Sequence, residues 1–284
     1  MKDPFTIHFG PLSVGIVSLF PPFIEYLKRF FTGYESDRSP DFILTISSSK
    51  ELPPPLVSFQ QEWVPLALSG NHFEIGRRLI LGTLQLQQRA IEITVHEDFF
   101  NQPILDIFQV FQVFLYRMYH TLCLHQGINS CFIHGCGVVK GGVGYLFIGP
   151  HQSGKTTIGE LSGCPVLHDD QILITLDEGR LFIDSPPLSA RIRSHPEKPV
   201  PLQRVFLIVQ DKEVSIRAVV PSQALARLYS EIVSPLTLDS ANLAEAGKRK
   251  GQFCFELLRS VSILELHFDK DGRFWKLLNS EQVT

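Results

Sequence analysis

Residues 149–157, GPHQSGKTT, fit the spacing Gly-x-x-x-x-Gly-Lys-Ser/Thr, which is typical of loops that hold nucleotide phosphates. Glycines in such a loop let backbone amides converge on phosphate oxygens, and the helix that begins there adds its positive end. Lys155 would neutralise the outer phosphates, and the hydroxyl of Thr156 would bind Mg²⁺. The spacing predicts a nucleotide site formed by Gly149, Ser153, Gly154, Lys155, Thr156 and Thr157.

An aspartate pair follows the loop closely, since Asp169 lies 14 positions after Lys155 and Asp170 comes next. Two carboxylates beside an ATP site can divide the work, because one can hold Mg²⁺ while the other accepts a proton from an attacking hydroxyl. We assign Asp169 as the base and Asp170 as the metal-side residue. The reverse order, and a turn capped by both carboxylates, are the alternatives.

The elements around these residues predict the fold. A strand at 145–149 precedes the loop and a short helix at about 154–161 follows it. Because the aspartates come so soon, and QILITLDEGRLFID beyond them reads as a hairpin, the pattern is not that of a doubly wound sheet. Two further hairpins are predicted at 204–219 and near the end, SILELHF-DKDG-RFWKLL.

The predicted class is therefore α+β, with a mostly antiparallel or mixed sheet, a phosphate loop and flanking helices. The first hundred residues alternate strands and a helix of their own, at 42–47, 90–99 and 21–34. We predict two domains, a smaller α+β domain at 1–102 and a nucleotide-binding domain at 103–284. The second begins with a helix at about 103–126.

Three segments in this order, IHGCGVV at 133–139, GPHQSGKTT at 149–157 and VLHDD at 166–170, resemble the HPr kinase/phosphorylase family. The resemblance covers about residues 115–284, is closest to the smaller HPr-kinase-related proteins of bacteria, and extends distantly to ATP-dependent phosphoenolpyruvate carboxykinase. It implies a mostly antiparallel sheet with helices and an oligomeric assembly. It also implies that His134 lies near the transferred phosphate and that Asp169 is the catalytic aspartate.

The chain also departs from that family. Thr157 stands where the family has glutamate after the loop's Ser/Thr, and the loop helix is about one turn shorter. The family's glycine-rich arginine segment has its nearest counterpart in SARIRSHP at 189–196. This segment offers Arg191 and Arg193 as phosphate clamps.

Composition narrows the classes of function. The net charge of −3 and the lack of a large basic patch argue against nucleic-acid binding. No apolar run approaches the ~20 residues that span a bilayer, so we expect a cytoplasmic protein with no membrane partner. Its five cysteines are then reduced thiols. Cysteines and histidines at 123–136 fit no standard zinc spacing, and we interpret the cysteines as core thiols.

The motifs predict an ATP- and Mg²⁺-dependent kinase in which Asp169 and Lys155 are catalytic, and the resemblance adds His134. The alternative for His134 is a core histidine satisfied by hydrogen bonds. The acceptor would be a serine-type hydroxyl of a peptide, protein or small metabolite. One alternative is a non-catalytic nucleotide-binding module that serves a peptide-modification partner. Another is a carboxykinase-like enzyme acting on a small acid.

Overall fold

The computed structural model describes residues 3–19, 21–52, 66–69, 71–75, 80–97, 104–187, 190–236, 240–270 and 272–279. The chain forms two compact units, Met1–Gly127 with Ser234–Gly247 and Ile128–Val233 with Lys248–Thr284. Each unit contains a mixed β-sheet, and helices accompany the sheets, which confirms the α+β class.

The first unit is built on a seven-stranded sheet with strand order β1-β2-β3-β7-β6-β5-β4. Strands β2, β3 and β7 are parallel, whereas the other neighbours are antiparallel. In chain order the elements are β1 (Phe5–Phe9), β2 (Leu12–Ser18), α1 (Pro21–Phe30), β3 (Phe42–Ser49), β4 (Leu66–Ser69), β5 (His72–Ile75), β6 (Ile80–Gln85), β7 (Ala90–His96) and α2 (Ile104–His125). The strands and helices predicted in this region are thus confirmed, except that the helix predicted at 21–34 ends at Phe30. Residues 98–99 and 103 of the predicted elements lie outside the described part of the chain.

Alternation and aromatic contacts explain the core of the first unit. Alternate residues of β3 are buried, namely Phe42, Leu44 and Ile46, as expected for a strand with one covered face. Tyr119 of α2 stacks on Phe9 with ring centroids 4.2 Å apart, and its hydroxyl also bonds the chain at the β1–β2 turn. The helix is therefore fixed by both apolar and polar contacts.

The second unit has an eight-stranded sheet in the order β10-β8-β11-β12-β13-β15-β14, with β9 paired to both β8 and β13. In chain order the elements are β8 (Ser130–Lys140), β9 (Val143–Ile148), α3 (Lys155–Leu161), β10 (Val166–His168), β11 (Gln171–Asp177), β12 (Arg180–Asp184), β13 (Val200–Gln210), β14 (Ser215–Ala218), α4 (Pro221–Glu231), α5 (Ser240–Ser260), β15 (Ser262–Phe268) and α6 (Phe274–Asn279). Helix α5 is divided between the units, since its residues up to Gly247 belong to the first. Strand β13 runs parallel to β9 and to β15, and the other pairs are antiparallel.

The hairpin predicted at 171–184 is confirmed as β11–β12, with a turn at Glu178 and Gly179 in the left-handed region. The hairpin predicted at 204–219 is wrong, because β15 lies between β13 and β14. A buried run such as Val205–Ile208 is typical of a central strand, which needs neighbours on both sides. The closing hairpin is also wrong, since residues 274–279 form α6 and bury Phe274 and Trp275.

Apolar side chains from alternate positions of the same strands form the two cores of the second unit. Leu146 and Ile148 belong to a cluster that α4 and α5 complete with Leu228 and Leu257. Phe147 belongs to the cluster on the opposite face. Helices α3 and α6 complete this second cluster with Ile158, Phe274 and Trp275. The 149–154 loop therefore leaves a strand that is packed on both faces.

No helix in the described ranges is long and apolar enough to cross a membrane.

Candidate functional site

Strand β9 ends at the 149–154 loop, and α3 begins directly after it at Lys155. Gly154, the residue before the helix, has φ 101°, and Gln152 also has a positive φ of 63°. A Cβ on Gly154 would lie 2.6 Å from Cζ of Phe268, so this position requires glycine for both conformation and space. Gln210 supports the bend, because its Nε2 donates a hydrogen bond to the Gln152 carbonyl at 3.0 Å.

Lys155 folds back over this loop. Its Nζ donates hydrogen bonds to the carbonyl oxygens of Gly149 at 2.7 Å and Pro150 at 2.9 Å, and the residue is buried. Burial lowers the pKa of the Lys155 ammonium, and the nearby carboxylates of Asp170 and Glu231 oppose that shift. The loop thus holds a cation against its own backbone carbonyls.

His134 lies between two carboxylates. Its Nδ1 is 2.9 Å from Oε2 of Glu231, and its Nε2 is 2.8 Å from Oδ1 of Asp170. Hydrogen bonds from Asp170 and then Glu231 raise the pKa of His134 to about 9, against the effects of burial and of the Lys155 charge. His134 is therefore an imidazolium at neutral pH, and it donates from both ring nitrogens.

Strand pairing brings this cluster together. In the β8–β11 ladder His134 is opposite Gln171, and the Gly135 amide donates to the Asp170 carbonyl at 2.9 Å. The buried ring of His168 supports the turn between β10 and β11, because its Nδ1 accepts hydrogen bonds from the amides of Asp170 at 3.1 Å and Gln171 at 3.0 Å. Adjacent strands therefore place Asp170 beside His134.

The two aspartates have different surroundings. Asp169 is buried, and its Oδ1 accepts the backbone amides of Arg191 at 3.1 Å and Ile192 at 3.4 Å. The side chain of Asp170 is 56% exposed and paired with His134. Partial desolvation would raise the pKa of Asp170, but the hydrogen bond and charge of His134, with the charge of Lys155, bring it below its ordinary value.

A cavity of about 560 Å³ opens between this loop and α4. Its wall includes residues 148–153, the end of β13 at 208–210, and Arg227, Ser230 and Glu231 of α4. Parallel strands β9 and β13 both end here, and ligands of α/β sheets commonly bind at the carboxyl ends of such strands. Glu231 connects the cavity to the histidine cluster, because it lines one and bonds to the other.

The predicted residues do not all converge. The charges of Lys155, His134 and Asp170 shift one another's pKa values, and the carboxylate of Asp169 raises the pKa of Lys155. Thr156 and Thr157 occupy the first turn of α3 and are partly exposed. The guanidinium of Arg191 instead pairs with Glu160 of α3 at 2.9 Å and is 74% exposed.

Arg193 pairs through its backbone with His168 in an isolated bridge. Within the described part of the chain, neither Arg191 nor Arg193 lines the cavity. The clamp role predicted for them therefore has no support from the cavity geometry.

Sequence reasoning missed Glu231 and Arg227. They are four residues apart on α4 and so share one face of the helix. That spacing could have placed them together, but it is equally typical of a solvated ion pair. Only the packing of α4 beside β8 and β13 assigns them to the cavity.

Among the described residues, no group of three or more histidine, cysteine, aspartate or glutamate side chains is arranged to hold a metal ion. Comparisons of the chain with models of known protein families and with curated proteins found no match.

Proposed function

We propose that this protein is an ATP- and Mg²⁺-dependent kinase that phosphorylates a serine-type hydroxyl of a peptide, protein or small metabolite. The observation that carries the proposal is the strand–loop–helix at 143–161, with the Lys155 ammonium folded onto the loop beside the His134 cluster. The resemblance of three ordered sequence segments to HPr kinases supports the same function.

The residues of the loop fit a phosphate chain. Among the described residues, the Lys155 ammonium bonds only to carbonyl oxygens of its own loop, which phosphate oxygens can replace as stronger, charged acceptors. The hydroxyl of Ser153 is buried and has no hydrogen-bonding partner among the described residues, so it retains donor capacity. Left-handed conformations at Gln152 and Gly154 turn successive amides within a short loop, as anion-binding concavities require.

Thr156 and Asp170 would hold Mg²⁺. One or two protein ligands are enough, because Mg²⁺ keeps several waters and binds substrate phosphates. Bound Mg²⁺ would neutralise charge on the bridging phosphate oxygens.

The remaining chemistry is assigned to the chain's own residues. Asp169 accepts the proton of the attacking hydroxyl, whose oxygen forms the new bond to the γ-phosphorus while the bond to the β-phosphate oxygen breaks and ADP leaves. His134 carries a positive charge, so it stabilises the transferred phosphoryl group and is not the base. Lys155 neutralises the same oxygens.

Titration calorimetry with Mg-ATP tests the phosphate site. We expect wild-type protein to bind and Lys155→Ala to lose at least about tenfold in affinity, the cost of one charged hydrogen bond or more. Lys28→Ala is the matched control, because Lys28 pairs with Glu25 on α1 of the other unit. Equal affinity of wild type and Lys155→Ala would contradict the proposal.

Transfer of labelled γ-phosphate to serine-containing peptides tests the reaction. Asp169→Asn should abolish transfer and leave Mg-ATP binding largely intact, because the carboxylate acts only on the acceptor proton. Full activity of this variant would refute the assignment of Asp169 as the base. Binding without transfer to any acceptor would instead favour the non-catalytic nucleotide-binding module.

A further inference from the structure

Arg227 carries the only permanent positive charge among the described residues that line the 560 Å³ cavity. Its Nη1 donates to Oε2 of Glu265 at 2.8 Å, and its Nη2 donates to the carbonyl of Ile208 at 3.0 Å. A guanidinium has five N–H groups, and no other partner of the Arg227 guanidinium is found in the described part of the chain. The side chain is 29% exposed, so it can still meet a ligand.

Three further side chains, Glu265, His267 and Asp211, hold the Arg227 guanidinium through a chain of hydrogen bonds. Oε1 of Glu265 is 2.7 Å from Nε2 of His267, and Nδ1 of His267 is 2.9 Å from Oδ2 of Asp211. Glu265 and His267 are two residues apart on β15 and therefore lie on the same face of the strand. Asp211 orients His267, and His267 in turn orients Glu265. The orientation of the Arg227 guanidinium on Glu265 therefore depends on residues that do not line the cavity.

Glu231 is the negatively charged side chain of the described cavity wall, and its carboxylate bonds to His134. Arg227 is therefore the charged group that can attract an anion in this space. The wall also includes His151, Gln152 and Ser153 of the loop, so Arg227 faces the same space as the predicted phosphate cradle. Arginine is suited to this role because its planar fork binds phosphate oxygens through two bonds at once.

We propose that Arg227 binds phosphate oxygens of the nucleotide in this cavity, and that Glu265, His267 and Asp211 are positioning residues for its guanidinium. The proposal rests on the proposed function and gives Arg227 the clamp role that sequence reasoning assigned to Arg191 and Arg193.

Affinity for Mg-ATP and for inorganic tripolyphosphate, measured by calorimetry, tests the inference. Arg227→Gln should weaken both by about tenfold or more, since it removes charge-assisted hydrogen bonds. Arg227→Lys should recover only part of the loss, because an ammonium lacks the fork geometry. The matched control is Arg259→Gln, whose wild-type arginine is 78% exposed and pairs with Glu256 on α5. Circular dichroism should show that each variant is folded.

A double-mutant cycle tests the positioning role. His267→Asn should weaken Mg-ATP binding in the wild-type background and have no further effect in Arg227→Gln, because His267 acts only through the guanidinium. A merely structural role for His267 would give the same loss in both backgrounds and would overturn that part of the proposal.

The outcomes separate this inference from the proposed function. If Lys155→Ala loses Mg-ATP binding and Arg227→Gln binds like wild type, the phosphate site stands and the role of Arg227 is refuted. If wild-type protein binds neither Mg-ATP nor tripolyphosphate, both are refuted. Tripolyphosphate binding that depends on Arg227, without Mg-ATP binding, supports an anion site and contradicts the kinase.

Discussion

Two histidines in the second unit have nearly the same immediate partners and different surroundings. His134 lies between Asp170 and Glu231, and His267 lies between Asp211 and Glu265, with all four distances between 2.7 and 2.9 Å. The partners of His134 are within electrostatic reach of Lys155.

His267 instead reaches the cavity only through Glu265 and Arg227. The local geometry of a carboxylate–histidine–carboxylate group therefore does not decide its role. The neighbouring charges and the access to a cavity do so.

The largest expected effect is a difference in the rate of phosphoryl transfer between variants of His134 and His267. His134→Asn should slow phosphoryl transfer from Mg-ATP by about 10²–10³-fold, the range seen when one preorganised donor to a transition-state oxygen is removed. His267→Asn should slow it by less than about tenfold, because its contribution reaches the site through Arg227. Equal losses in steady-state rate for the two variants would contradict a direct role for His134 and an indirect role for His267.

The pH dependence of His134 sharpens the comparison. In metal-free, ligand-free protein the His134 ring resonances should titrate with a midpoint of about 9, well above the ordinary value of 6.5. Because the folded state binds this proton more tightly, the stability it contributes is complete below pH 6.5 and is lost as the pH rises through about 9.

Glu231→Gln should shift this midpoint towards the ordinary value, since it removes one of the two carboxylates. NMR titration with His134→Asn as the assignment control measures the midpoint. Urea unfolding between pH 6 and 10 measures the stability. An unchanged midpoint in Glu231→Gln would show that Asp170 alone sets the protonation of His134.

The stability cost should be moderate for the buried His267. His267→Asn should lower the free energy of unfolding by about 1–3 kcal/mol, because the partly buried Glu265–His267 hydrogen bond is lost and the acceptor is left partly unpaired. Urea denaturation at pH 7 measures this cost, with His125→Asn on the end of α2 as the control. A change no larger than that of the control would mean that the series behind Arg227 is not rigid.

Asp211→Asn should have the smallest effect, because Asp211 is at the exposed end of the series. The hydrogen bond from His267 lowers the pKa of Asp211, so its small contribution is present above the ordinary value of 3.8 and is lost as the pH falls through the lowered one. The urea midpoint of the variant should therefore be close to that of wild type at pH 7 and equal to it in acid. A loss as large as that of His267→Asn would contradict this order.

The sequence predicts those parts of the fold that depend on local signals. Strand β9, the loop and α3 were predicted to within two residues, because the apolar run, the glycines and Lys155 are contiguous. The β11–β12 hairpin follows from its DEGR turn in the same way. The β13–β14 hairpin failed because β15 inserts between them from 52 residues beyond β13, counted from 210 to 262, and no local pattern records such an insertion.

Some residues of the candidate site could likewise be predicted from local sequence signals, and others could not. His134, Lys155 and the aspartate pair could be found because their motifs specify chemistry and spacing. Glu231 and Arg227 could not, because a charged residue on an amphipathic helix is ordinary until the helix is packed against its sheet. The DKDG turn likewise suggested a strand return where the apolar spacing of α6 produces a helix.

The contact between Gly154 and Phe268 has a consequence for the nascent chain. The loop is supported by Gln210 at the end of β13 and by Phe268 at the end of β15. The ribosome adds these residues 56 and 114 positions after Gly154, counted from 154 to 210 and from 154 to 268. At about 5–20 residues per second, the longer interval lasts roughly 6–23 s. During translation the loop therefore exists before its support does. The loop is fully supported only after β15 has emerged from the ribosome.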